Sequence, residues 1–137
     1  MENTIKITEL DYIRLSKLVG VSRNEKNIEI KNLDALAREI GRAEKVDSKK
    51  ISPEFVTMNS VVQVMNESTK KPTTIKIVYP NEVDFKKGFV SVLSPLGSAL
   101  LGYKIGDSVQ FEAPKGLVTF QIQKIDYQPE ANGEYLV

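Results

Sequence analysis

Apolar residues recur at helical spacing in the first third of the chain and at every second position in the rest, so the pattern alone divides it. Thr8 reads as a helix N-cap with Asp11 three residues on, and Ile7 and Tyr12 flank that cap as a hydrophobic staple. Tyr12, Leu15 and Val19 share one face with Leu18 beside them, Leu10 and Ile13 fall elsewhere, and Gly20 is the natural stop. Residues 21–27 are polar and turn-rich, which predicts a hairpin tip carrying Arg23, Asn24, Glu25 and Lys26; Asn27 or Asn32 can cap the next element. Leu33, Leu36, Ala37, Ile40 and Ala43 form a clean stripe that predicts a second helix to about Val46, with Asp34 and Arg38 paired one turn apart. Arg38, Arg42 and Lys45 read as its solvated outer face. Helices joined this closely form an antiparallel hairpin, and amphipathic helices usually pack on their own domain.

The composition shifts at Asp47-Ser48-Lys49-Lys50-Ile51-Ser52-Pro53, and beyond it the period becomes two. Strands are predicted at about 60–67, 73–80, 89–93, 107–113 and 116–127. In the last of them the apolar phase moves from Val118, Phe120 and Ile122 to Ile125 and Tyr127, which implies a bulge near Gln123-Lys124. Pro114-Lys115-Gly116 joins the final two strands as a tight antiparallel hairpin. Between strands three and four, Ser94 caps a short helix, Pro95 suits its first position, Leu96, Ala99 and Leu100 line one side, and Gly102 ends it. The predicted class is α+β: a helical hairpin over 1–47, a linker over 48–53, and a small antiparallel sheet with one helix over 54–137.

Composition narrows the chemistry. The 137 residues contain no histidine and no cysteine, which removes Ser-His and Cys-His nucleophiles, thiol redox, Cys/His zinc sites and disulfides. Carboxylate sites for Mg²⁺, lysine chemistry and pure binding survive. A net charge of +1, evenly spread, does not advertise nucleic-acid affinity. No stretch approaches the ~20 apolar residues of a membrane span, no export signal is evident, and a reducing cytoplasm is the expected compartment. Neither a GxGxxG nor a Walker A sequence is present.

The segment Ser94-Pro95-Leu96-Gly97-Ser98-Ala99-Leu100-Leu101-Gly102-Tyr103-Lys104-Ile105-Gly106-Asp107 resembles the C-terminal domain of the bacterial Gre transcript-cleavage factors. With Phe55-Val56-Thr57-Met58-Asn59-Ser60, Val78-Tyr79-Pro80 and Asp126-Tyr127-Gln128-Pro129-Glu130-Ala131 added, the nearer likeness is to the Rnk family, regulators of nucleoside diphosphate kinase. The resemblance covers essentially the whole chain. It implies an N-terminal antiparallel coiled coil that projects from an FKBP-like C-terminal domain, and binding to RNA polymerase at its secondary channel. A projecting hairpin implies a seam of Tyr12, Leu36 and Ile40 separate from the core of the sheet.

Gre factors carry acidic residues at the coiled-coil tip, where they help hold a catalytic Mg²⁺ that polymerase supplies. This tip offers Glu25 beside Lys26 and Arg23, on helices far shorter than the Gre arrangement. The expectation is therefore a regulator that competes with longer Gre-type factors without stimulating cleavage. A Gre-like cleavage accessory factor is the alternative and a prolyl isomerase or chaperone the third reading; the Phe and Tyr residues are scattered and Trp is absent, which disfavours an isomerase pocket. Ser94 and Pro95, with Leu96 and Gly97 after them, match the Gre loop that contacts polymerase, although Leu93 stands where Gre proteins usually have Asp. Capping alone and capping plus contact both account for Ser-Pro here. No catalytic residue, cofactor or metal is expected; the partner is RNA polymerase, without sequence-specific nucleic-acid binding or membrane association, and the chain is expected to be a monomer.

Overall fold

The computed structural model describes residues 5–23 and 30–135. Strand β1 (Lys6–Thr8) leads into α1 (Glu9–Ser22); α2 (Ile30–Arg42) comes next and returns as β2 (Glu44–Val46), which pairs with β1 in parallel. Thr8 caps α1 as its sequence demands, its hydroxyl oxygen accepting the Asp11 N–H at 3.0 Å. Gly20 does not stop this helix. A glycine ends a helix where the chain turns left-handed, and here the chain stays right-handed through the C-cap Arg23, at φ −61°. The second helix ends at Arg42, short of Val46, because residues 44–46 are drawn out straight in a ladder that sets Lys6 against Glu44 and Thr8 against Val46.

The larger sheet is ordered β5-β4-β3-β7-β6, from β3 (Val61–Asn66), β4 (Pro72–Val78), β5 (Phe89–Ser91), β6 (Ser108–Ala113) and β7 (Gly116–Tyr127). Each lies within two residues of its predicted span. The sheet is mixed, not wholly antiparallel: two single-turn 3-10 helices, Pro80–Glu82 and Phe85–Lys87, carry the chain back so that β5 runs parallel to β4. Gln123 is the extra residue opposite the Gln63–Val64 step, where the change of apolar phase placed a bulge. Pro114 and Lys115 turn the chain between the paired Ala113 and Gly116. The short helix α3 (Pro95–Leu100) lies between β5 and β6.

The polar segment after β2 is held in place. Asp47 accepts the Lys49 N–H with its carboxylate and the Lys50 N–H with its carbonyl, both at 2.8 Å. Ile51 is buried, and the Ser52 carbonyl accepts from the Gln128 side chain at 2.9 Å.

One apolar core serves the hairpin and the sheet together. Leu15, Leu33, Leu36 and Ile40 belong to the same buried cluster as Val62, Ile77, Leu100, Val109 and Ile122. Leu33 and Leu36 are fully buried, each worth about 2 to 3 kcal/mol of apolar transfer. The implied projection of the hairpin is thus corrected: over the described residues it lies along the sheet domain. Lys31, in the first turn of α2, reaches Glu112 of β6 at 3.6 Å, and Arg42 donates to the Tyr103 hydroxyl at 2.9 Å. Arg42 and Lys45 do not simply face solvent, since Arg42 also pairs with Glu39 at 2.7 Å and the Lys45 ammonium sits 4.7 Å over the Tyr12 ring.

Candidate docking site

After β5 the chain dives inward at Val92 and Leu93, both buried, and resurfaces at Ser94. Three serines fix the loop and the start of α3. The Ser94 hydroxyl donates to the Ser91 carbonyl at 2.6 Å and accepts the Gly97 N–H at 3.1 Å, which caps α3. Ser91 accepts the Leu93 N–H at 3.0 Å, and the Ser98 hydroxyl donates back to the Ser94 carbonyl at 3.0 Å. With Pro95 at the first helical position, its φ is set as well. Ser94, Pro95 and Leu96 are consequently half-buried side chains on a loop with little freedom.

Gly97 plays a different part from its three neighbours. It is buried, and a Cβ there would stand 2.1 Å from the Ser91 carbonyl oxygen and 3.0 Å from the Val92 Cα. Its lack of a side chain lets α3 close on the end of β5, which holds the other three in place.

Ser94, Pro95 and Leu96 border an open groove of about 950 Å³. Its other walls come from α2 (Lys31, Ala35, Glu39), from the loop before β5 (Val83, Phe85) and from β6 (Phe111). Charges stand at the rim and are paired within the chain, Lys31 with Glu112 and Glu39 with Arg42. The groove presents apolar surface with hydroxyls at one end, an arrangement suited to seating a protein segment.

Of the four residues expected at the hairpin tip, Arg23 is described and pairs with Asp34 at 2.9 Å across the two helices. Asn24, Glu25 and Lys26 lie outside the described residues. Arg23, the described residue of the tip, is not among the residues that line the groove. Sequence reasoning missed the contribution of α2 to the groove, which depends on tertiary packing, and missed Phe85. The available signal for Phe85 was one large apolar residue set between Asp84 and Lys86-Lys87 in an otherwise polar turn.

A second polar centre sits at the base of the hairpin. Asp11 is almost wholly buried and its carboxylate accepts the Met58 N–H at 3.1 Å. Burial pushes its pKa up to about 6; the Met58 hydrogen bond opposes that rise, the Glu130 charge adds to it, and Thr8 and Arg14 oppose it. Burial also raises the Tyr79 hydroxyl to about 12, with the Asp11 charge adding and Arg14 opposing. Among the described residues no three His, Cys, Asp or Glu side chains cluster to hold a metal, and no helix is long and apolar enough to cross a membrane.

Residues 47–127 match the family model described as transcription elongation factor, GreA/GreB, C-term, and residues 3–46 match that of the Rnk N-terminus. The chain is 38% identical over 105 residues to the regulator of nucleoside diphosphate kinase of Escherichia coli, covering 76% of this chain and 77% of that one. It is 38% identical over 86 residues to the transcription elongation factor GreA of Rhodospirillum rubrum, covering 63% of this chain and 55% of the relative. Among solved structures, the prokaryotic transcription elongation factor GreA/GreB from Nitrosomonas europaea superposes with a TM-score of 0.74 at 35% identity, over 92% of this chain and all of that one. GreA factor homolog 1 of Thermus thermophilus, at 21% identity and a TM-score of 0.50 over 91% of this chain and all of that one, shares the fold.

Proposed function

Since the chain belongs to the GreA/GreB transcription elongation factor family and carries an Rnk-type N-terminus, we propose that it is a transcription regulator that binds RNA polymerase near the secondary channel. It docks through the Ser94–Leu96 loop and the groove beside it, and competes there with longer Gre-type factors without stimulating transcript cleavage. The observation that carries this reading is the construction of the loop. Three serines, a proline and a glycine hold Ser94, Pro95 and Leu96 fixed at the mouth of an apolar groove, and a rigid loop loses little entropy on binding.

Binding requires no catalytic group, cofactor or metal from this chain. Docking by a protein surface also suits a chain of net charge +1. The test is direct titration of core polymerase by interferometry against the wild type and Pro95→Asp. An aspartate is well placed in the first turn of a helix, so the variant should fold. A charge at the loop should nonetheless weaken binding about tenfold or more. Absence of micromolar binding by the wild type would end the proposal.

A further inference from the structure

Phe85 is 86% exposed, although it is one of the largest apolar side chains in the molecule and stands on the rim of the groove. Its neighbour in the same loop is treated differently. The ring of Phe89 is covered by two ammonium groups, Lys76 at 4.9 Å and Lys87 at 5.9 Å, whereas Phe85 is left bare.

The turn that displays Phe85 is tightly made. Asp84 accepts the Lys86 N–H at 3.1 Å with its carboxylate, and its backbone exchanges hydrogen bonds with Phe89, at 3.2 and 3.0 Å. The Asp84 carbonyl also accepts the Lys87 N–H at 3.1 Å, and that of Phe85 accepts the Gly88 N–H at 3.3 Å. Gly88 closes the turn at φ +78°, where a Cβ would meet the Thr74 carbonyl oxygen at 2.8 Å. An exposed aromatic on such a turn is pre-organised for contact.

The charges decide the class of partner. An aromatic among lysines can serve as a stacking platform for single-stranded nucleic acid, but that use needs a net basic track for the phosphates. Here Lys76 and Lys87 lie over the Phe89 ring, Glu82 and Asp84 stand in the same loop as Lys86 and Lys87, and the charged residues that line the groove, Lys31, Glu39 and Glu112, are not net basic. What remains is an apolar knob beside an apolar trough that carries no basic track of its own, the complement of an apolar face on a protein.

Resting on the docking reading above, we infer that Phe85 is the apolar anchor of the polymerase contact, inserting between side chains of an amphipathic polymerase segment whose own apolar face fills the groove against Pro95 and Leu96. Phe85→Ser and Phe85→Leu, titrated against core polymerase, test this. Both variants should melt like the wild type, because so exposed a ring supports no core. Phe85→Ser should weaken binding about tenfold or more, while Phe85→Leu should stay within roughly threefold, and wild-type affinity should depend only weakly on salt. Unchanged affinity in Phe85→Ser alongside loss in Pro95→Asp would overturn the anchor and leave the docking loop standing. No binding by the wild type would remove both. Salt-sensitive binding of a single-stranded oligonucleotide by the protein alone, abolished in Phe85→Ser, would also overturn the anchor and make the turn a stacking platform.

Discussion

Asp11 ties the start of α1 to the sheet domain, its backbone N–H held by Thr8 and its carboxylate by the Met58 N–H. It occupies the third position after the Thr8 cap, and its carboxylate both accepts the Met58 N–H and lies against the Thr8 side chain. Its pKa in the fold, about 6, lies above the ordinary 3.8, so the native chain holds this proton more tightly than the unfolded chain does. The associated stabilisation is full at and below pH 3.8 and is lost as the pH rises through about 6. Asp11→Asn keeps an oxygen for the Met58 N–H and carries no charge. Relative to the wild type, the variant should gain stability across that window and then level off, by no more than about 3 kcal/mol, as read by denaturant titration at several pH values. A difference that does not change with pH would show that Asp11 keeps an ordinary carboxylate pKa.

At the scale of elements, the shared core changes what a single substitution should do. Ile40 is buried in the cluster that also holds Leu100, Val109 and Ile122, so Ile40→Asp places a carboxylate inside a core that helices and sheet share. The cost is several kcal/mol, and the loss should be cooperative, with amide protection falling in α2 and β7 at the same denaturant concentration. Retained protection in the sheet after the helices have melted would restore a separate hairpin seam. Much of this fold was legible because its signals are local and long: the phase change at Gln123, the turn at Pro114-Lys115 and the cap at Ser94 each need only neighbouring residues. The small parallel pair β1 and β2 was not, since three residues cannot display an alternation and Lys6–Thr8 meets Glu44–Val46 only after the helices have folded back. The parallel entry of β5 and the seat of α2 beside β6 were hidden for the same reason. Within the site, Ser94 and Pro95 announced themselves through capping; Phe85 and the walls of the groove required the tertiary structure.

For the molecule as a whole, hairpin and sheet domain share a core, so docking of the groove also fixes where the hairpin lies. Occupancy of the channel entrance should then exclude a longer factor while leaving cleavage unassisted. Added to backtracked elongation complexes, the protein should leave cleavage at its basal rate and lower the rate produced by a Gre factor in proportion to its own binding. Mg²⁺-dependent acceleration by the protein alone, lost in Glu25→Ala, would favour the cleavage-factor alternative. The ladder of β1 and β2 sets one more property of this architecture. It clamps the two chain segments at the base of the hairpin, Lys6 against Glu44 and Thr8 against Val46, and so fixes the origin of a ruler whose far end alone is adjustable. Fourteen residues in α1 mark off about 21 Å from that origin. Matched heptads inserted on both sides of the tip would each lengthen the reach by about 10 Å and leave the clamp, the groove and the docking loop where they are. The length of the hairpin is in this way free to change without altering the groove and the loop beside it.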